Sequence, residues 1–212
     1  TLAMRYGTPS IKEGLALLRQ DNVEKLLVVP LYPQYSATTT ASTFDVITNE
    51  LQTWRRIPEL RIINQYADHP AYIHALCESI KQSWDTHGKP AHLLFSFHGI
   101  PKRYVIAGDP YADQCHLTAH AVANTLQLPQ DAWSIAFQSR FGRAAWLSPY
   151  TNTLLKDFPL RGITDLHVIC PGFAVDCLET LEEIAIQGKT LFTNAGGKSF
   201  HMIPALNASN HH

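Results

Sequence analysis

The sequence predicts an α/β fold built from two similar units, each with a parallel sheet flanked by helices, the first unit being incomplete. Three observations carry this. Short, near-continuous apolar runs alternate with helical patterns, as expected of parallel strands covered on both faces. The runs recur in a second copy with the same order. The 212 residues are 45% hydrophobic and 17% charged, which supplies a real core and excludes a disordered chain.

The elements follow in chain order. Arg5-Tyr6-Gly7 leads through a helix and a polar turn to the apolar strand Leu26-Leu27-Val28-Val29-Pro30, and Leu60-Arg61-Ile62-Ile63 is the next strand. Ile73, Leu76, Ile80 and Trp84 recur at three- and four-residue spacing, one apolar stripe on a helix. Leu93-Leu94-Phe95-Ser96-Phe97 reads as a buried strand, a helix is expected to close across Asn124 to Gln130, and Trp133-Ser134-Ile135-Ala136-Phe137 follows as a strand. Leu166-His167-Val168-Ile169-Cys170 and Phe200-His201-Met202-Ile203 complete the set.

The internal echo divides the chain. Arg5-Tyr6-Gly7 before the strand ending at Pro30 parallels Arg140-Phe141-Gly142 before the strand ending at Pro171, and the strands at Leu60 and Phe200 correspond. Residues 1–65 are therefore expected to form the first unit and 66–212 the second. The second unit has a strand, ending at His98, with no counterpart in the first. The first is accordingly read as lacking its opening strand and helix. The ending at Asn210-His211-His212 similarly suggests a missing closing helix.

Composition narrows the chemistry. Seventeen Lys and Arg against eighteen Asp and Glu give a net charge of -1, without the basic surplus that holds a phosphate backbone, so nucleic acid is not an expected partner. No apolar run approaches the ~20 residues of a membrane span. No leader is expected, since Thr1 opens on a strand-like segment. Four cysteines without a C-x-x-C pair suit a reducing, cytoplasmic setting. No G-x-G-x-x-G or Walker A loop supports nucleotide binding.

Eleven histidines raise the question of metal or proton chemistry. His98 ends an apolar strand, and Gly99 and Pro101 turn the chain at once. Ligands in open parallel sheets bind beyond the carboxyl ends of strands, where an imidazole can ligate a metal or take a proton. A histidine bonded to loop backbone fits the same position. Glu179, Glu182 and Glu183 follow another strand and open a helix. Glu179 and Glu183, four apart, share a face and could hold a hard cation or relay protons. The spacing Asp176-x-x-Glu179 equally suits a capping box, and is the reading that spacing alone favours. His116 and His120 also stand four apart, but on a helix face better read as solvated; His167 and His201 lie in strands. Arg5, Tyr6, Tyr32, Tyr35, Arg140, Phe141 and Trp146 bring cations and rings to strand ends, as a large, flat, acidic ligand would require.

Leu93-Leu-Phe-Ser-Phe-His98-Gly-Ile-Pro101, with Gly108-Asp-Pro-Tyr111, closely resembles the signature of the ferrochelatases, which insert ferrous iron into protoporphyrin IX to make protohaem, the last step of haem biosynthesis. Pro30-Leu-Tyr-Pro-Gln-Tyr-Ser36, Phe137-Gln-Ser-Arg-Phe-Gly142 with Trp146, and Cys177-Leu-Glu-Thr-Leu-Glu-Glu-Ile184 match further blocks, in a Gram-negative bacterial flavour. The resemblance covers essentially the whole chain, and implies that the family's N-terminal portion and its final helix are what the sequence lacks. It implies two Rossmann-like units, a lyase-class metal chelatase, and His98 and Glu179 as the catalytic pair facing across the porphyrin cleft. It implies that His98, Glu179 and Glu183 meet the metal, and that Arg5, Tyr6, Tyr32 and Trp146 meet the porphyrin. A further acid one turn on in some members is Gln187 here. Substrates are protoporphyrin IX and Fe²⁺, with no other cofactor and no iron–sulfur cluster, and peripheral membrane contact for porphyrin delivery is an option. A catalytically impaired fragment that binds tetrapyrrole or metal, and a coproporphyrin-metallating relative, are the alternatives.

Overall fold

The computed structural model describes residues 1–210, so the closing His211-His212 lies outside the described residues, together with the abrupt ending read from it. The chain divides into two compact units, Thr1–Gln65 and Tyr66–His212.

The first unit contains α1 (Ile11–Gln20), β1 (Lys25–Val28), a π-helical turn (Ala37–Ala41) running into α2 (Ser42–Leu51), and β2 (Glu59–Ile62). A capping box starts α1: Glu13 N–H donates to Ser10 Oγ, and Glu13 reaches back to accept the Ser10 N–H at 2.7 Å. β1 and β2 pair in parallel, Leu26 opposite Leu60. Ile11, Leu15, Leu26, Ile47, Leu51 and Trp54 make the core. Strand alternation puts Leu26 inside, whereas Leu27 and Val29 are 59% and 48% exposed. The apolar run Leu26–Val29 therefore marks a strand, but the expectation of cover on both faces fails here: α1 and α2 pack on one face only.

The second unit contains α3 (Pro70–His87), β3 (His92–His98), α4 (Lys102–Ile106), α5 (Tyr111–Thr125), β4 (Trp133–Gln138), α6 (Thr151–Leu160), β5 (Asp165–Ile169), α7 (Leu178–Leu181), a π turn (Glu183–Gly188), α8 (Lys189–Asn194) and β6 (Ser199–Ile203). The four strands pair in parallel in the order β4-β3-β5-β6. α3 starts on the His69 side chain, which accepts from Ala71 N–H, with Pro70 at the first helical position. Its stripe Ile73, Leu76 and Ile80 is buried as the spacing predicts. The helix expected to close across Asn124 to Gln130 ends earlier, at Thr125; Gln127 already has φ 52°.

β3 is central and apolar on both sides. Leu93, Phe95 and Phe97 join Ile73, Leu76 and Ile80 of α3 and Ala119 and Val122 of α5. Leu94 joins Leu155 and Phe158 of α6, Val168 of β5 and Phe192 of α8. Two covered faces leave the strand ends as the places where polar chemistry can meet solvent.

His167 on β5 is 1% exposed and packs its ring 5.0 Å from His201 of β6, near His87 of α3. Burial first, then the neighbouring His201, push its pKa down to about 4; Asp165 acts the other way and His87 adds to the lowering. The unfolded chain takes up this proton near pH 6.5, before the folded one can. The stabilisation is therefore complete above about pH 6.5 and is lost as pH falls toward 4, by at most about 3 kcal/mol. Thermal melts should show falling stability across that window, and His167→Phe should flatten the fall; an unchanged pH dependence in the variant would discount this group.

Candidate functional site

The carboxyl end of the second unit's sheet gathers the polar residues. β3 ends at His98, whose partner across the ladder is Gln138, the last residue of β4. The ladder continues one step: Gly99 N–H donates to the Gln138 carbonyl at 2.8 Å. Gly99 suits that approach, since any side chain there would be crowded. A Cβ there would stand 3.0 Å from the Gln138 carbonyl oxygen and 3.1 Å from the Trp146 ring.

His98 is half-buried, its ring 6.4 Å from Trp146 and 6.3 Å from Phe173. Its Nδ1 lies 2.7 Å from the Gly99 carbonyl. A carbonyl only accepts, so Nδ1 carries the hydrogen and the neutral ring keeps its lone pair on Nε2. The two readings of this histidine are thus compatible: one nitrogen is held by loop backbone and the other is a base. Tyr111, buried at the start of α5, donates its hydroxyl to the His98 carbonyl at 2.9 Å and fixes the strand end from behind.

Glu179 sits in the first turn of α7. The capping box expected from Asp176 and Glu179 is displaced by one residue. Cys177 is the N-cap and Thr180 the reciprocal partner, its hydroxyl accepting the Cys177 N–H at 3.0 Å while donating to Asp176 Oδ1 at 3.0 Å. Asp176 also accepts from the Ala205 N–H and the Asn207 side chain, tying the loop to the segment after β6. Glu179 is thereby spared capping duty, and its carboxylate meets the Cys177 thiol. Burial chiefly, with the hydrogen bond to Glu179 second, pushes that thiol up to about 11.

Glu183 opens the π turn, whose wider winding shows in the Gln187 N–H bond to the Glu182 carbonyl, five residues back. Its carboxylate is engaged at the end of β4: Oε1 accepts the Ser139 N–H at 2.7 Å, and Oε2 accepts the Ser139 hydroxyl at 2.5 Å and the Gln138 amide at 3.4 Å. Glu182 is exposed and takes a hydrogen bond from Gln187.

His98, Glu179 and Glu183 do not form a ready metal cage: among the described residues no group of three or more His, Cys, Asp and Glu is placed to hold a metal. His116 and His120 lie on the exposed face of α5, as their spacing suggests. Trp146 is 4% exposed, packed under Phe141 at 4.8 Å. Phe141 itself is 72% exposed, and Leu178 beside Glu179 is 74% exposed. Phe141 is among the strand-end aromatics that the sequence singled out, whereas exposed Leu178 is one that sequence reading missed. The available signal for Leu178 was an apolar residue directly beside Glu179 on a first helical turn.

Arg5, Tyr6 and Tyr32 come together within the first unit. The Arg5 guanidinium lies 4.5 Å from the centre of the Tyr6 ring, and its Nε donates to the Ser42 carbonyl and hydroxyl. Burial, then Tyr6, raises the Tyr32 phenol, with Arg5 opposing. Among the described residues no helix is long and apolar enough to cross a membrane, and all four cysteines are free.

Comparisons with known proteins match this architecture. The chain is 54% identical to the ferrochelatase of Nitrosococcus oceani over 211 residues, covering 100% of the chain and 57% of that protein. It is 53% identical to the ferrochelatase of Methylococcus capsulatus, covering 100% of the chain and 65% of that protein. The chain thus spans less than two thirds of the length of either. Among solved structures, SirB from Bacillus subtilis with Fe3+ superposes with a TM-score of 0.67 at 15% identity, over 100% of this chain and 76% of SirB, a likeness of fold. CbiX, described as the terminal enzyme for biosynthesis of siroheme in denitrifying bacteria, superposes with a TM-score of 0.57 at 17% identity, over 89% and 71%. The family model for ferrochelatase matches residues 1–212, and the chain belongs to the ferrochelatase family.

Proposed function

We propose that this chain carries the metal-insertion site of a ferrochelatase, placing Fe²⁺ in protoporphyrin IX with release of two pyrrole protons to give protohaem. The observation that carries the reading is His98. It stands at the carboxyl end of the central strand with Nδ1 committed to the Gly99 carbonyl and Nε2 left as the base. Each pyrrole N–H must lose its proton before the metal is bound, and an imidazole suits that transfer near neutral pH. Glu179, free of capping duty, takes the opposite side, as ligand for the incoming iron or as the next proton acceptor. Phe141 and Leu178 supply apolar surface for a flat macrocycle, and Trp146 supports Phe141. Arg5, Tyr6 and Tyr32 are the first unit's porphyrin contacts. A pocket that holds the macrocycle bent would expose its nitrogen lone pairs. The reading places the chain in the cytoplasm, where its cysteines stay reduced, with peripheral membrane contact as a route for porphyrin delivery.

The test is to mix the chain anaerobically with protoporphyrin IX and Fe²⁺, or Zn²⁺ as a stable surrogate, and follow the change in the porphyrin's visible bands. Metal insertion that saturates in both substrates supports the reading. Porphyrin binding without insertion assigns this chain a binding role alone. Preference for coproporphyrin would move it to the neighbouring substrate class.

A further inference from the structure

The side chain that links the two halves of the proposed site is neither His98 nor Glu179. Gln138 is 3% exposed, and its amide uses every hydrogen-bonding position it has. Oε1 accepts from Ser96 Oγ at 2.7 Å and from Cys170 Sγ at 3.5 Å. Nε2 donates to the Glu179 carbonyl at 2.7 Å and to Glu183 Oε2 at 3.4 Å. Behind Ser96 stands buried Thr151, 2.8 Å away, which completes the chain of hydroxyls. The amide has one workable orientation, because a carbonyl and a carboxylate on the Nε2 side can only accept. Its main chain meanwhile pairs with His98 and receives the Gly99 N–H. One residue therefore grips the exit of the His98 strand with its backbone and the Glu179 turn with its side chain.

Glu183 completes the grip. Both of its oxygens take donors from the Gln138-Ser139 step. Three donors of its own fold thereby occupy most of the carboxylate's acceptor positions, which leaves little of it to ligate a metal or carry a proton onward. We infer that Gln138, Ser139 and Glu183 form a clamp that sets the position of Glu179 relative to His98. In this clamp Gln138 and Glu183 are positioning residues, and Glu183 has an anchoring role where a metal or proton-relay role was expected. This rests on the proposed reaction for its kinetic consequence but not for its structural one.

Four variants of the chain test it. Gln138→Glu keeps the size but faces an acceptor oxygen toward the Glu179 carbonyl and the Glu183 carboxylate. Glu183→Ala removes the anchor. Glu183→Gln keeps an amide oxygen for the Ser139 N–H while discarding the charge. Ser139→Ala removes one donor. Hydrogen exchange across residues 178–188 should speed up tenfold or more in Gln138→Glu and Glu183→Ala, less in Ser139→Ala, and little in Glu183→Gln. In zinc insertion, kcat should fall tenfold or more in the first two with the zinc KM within twofold, and Glu183→Gln should keep at least a third of wild-type kcat. Glu183→Gln as inactive as Glu183→Ala would overturn the inference, because the charge itself would then be needed. So would unchanged exchange in Gln138→Glu. If Gln138→Glu does not fold, the Glu183 pair and Ser139→Ala decide. A wild-type chain without insertion activity refutes the reaction and leaves the exchange arm to judge the clamp.

Discussion

His98→Ala is expected to lower porphyrin metallation by at least two orders of magnitude while moving the melting temperature by no more than a few degrees. The two halves of that expectation have separate grounds. His98 is half-buried at a strand end, outside the buried runs of β3, so its removal opens no cavity in the core. Its side-chain bond is to an adjacent loop carbonyl, and losing such a bond costs about 1 kcal/mol. Its backbone remains held by the Tyr111 hydroxyl and the β4 ladder. The chemistry loses its acceptor for the pyrrole protons, a contribution typically worth 10²–10⁴-fold for a positioned acid or base. His98→Asn sharpens the test, since the amide can preserve polar contact at the strand end without supplying a base. Near-normal turnover in either variant, measured beside thermal melts, would rule out the proton-acceptor role.

The strands were legible because their apolar runs are short and nearly continuous, as buried parallel strands are at Leu93–Phe97 and Leu166–Ile169. Position at a strand end then singled out His98 before any geometry was known. What sequence could not resolve lay in side-chain bonds between elements. The spacing of Asp176 and Glu179 fits a capping box, yet Thr180 fills it, because the helix begins one residue later and Cys177 becomes the cap. Spacing fixes which pair can cap a helix only when the first residue is known, and one residue of error moves the capping role from Glu179 to Thr180. Glu183 shows the same limit. Its place four residues after Glu179 suggests a shared polar face, and spacing carries no sign that its carboxylate accepts from Ser139 and Gln138. Leu27 and Val29 read as a fully buried strand because periodicity reports apolarity, and cover depends on which helices the unit has to pack.

Glu179→Gln is expected to reduce metallation at least fiftyfold, and Glu182→Gln by less than twofold. The two acids are three residues apart on the same short helical segment, so helix-wide effects of losing one negative charge near an N-terminus are shared, at 0.3–1 kcal/mol each. Their surroundings differ. Glu182 is exposed, and its visible partner is Gln187 on the same segment. Glu179 is half-buried, and its main-chain carbonyl is gripped by Gln138, the cross-strand partner of His98. The carbonyl grip survives Glu179→Gln, since the substitution leaves the backbone in place, so the loss would report the carboxylate and not the turn. Because Thr180 holds the cap, neither variant should lose the ~1 kcal/mol that cap removal costs, and both should melt within a few degrees of wild type. Equal and mild defects in the two would return Glu179 to ordinary helix duty. A large loss in Glu179→Gln accompanied by a matching fall in stability would mean the carboxylate serves the fold. Only a large kinetic loss at unchanged stability, with Glu182→Gln near wild type, supports Glu179 as the acid that meets the incoming metal or its displaced protons.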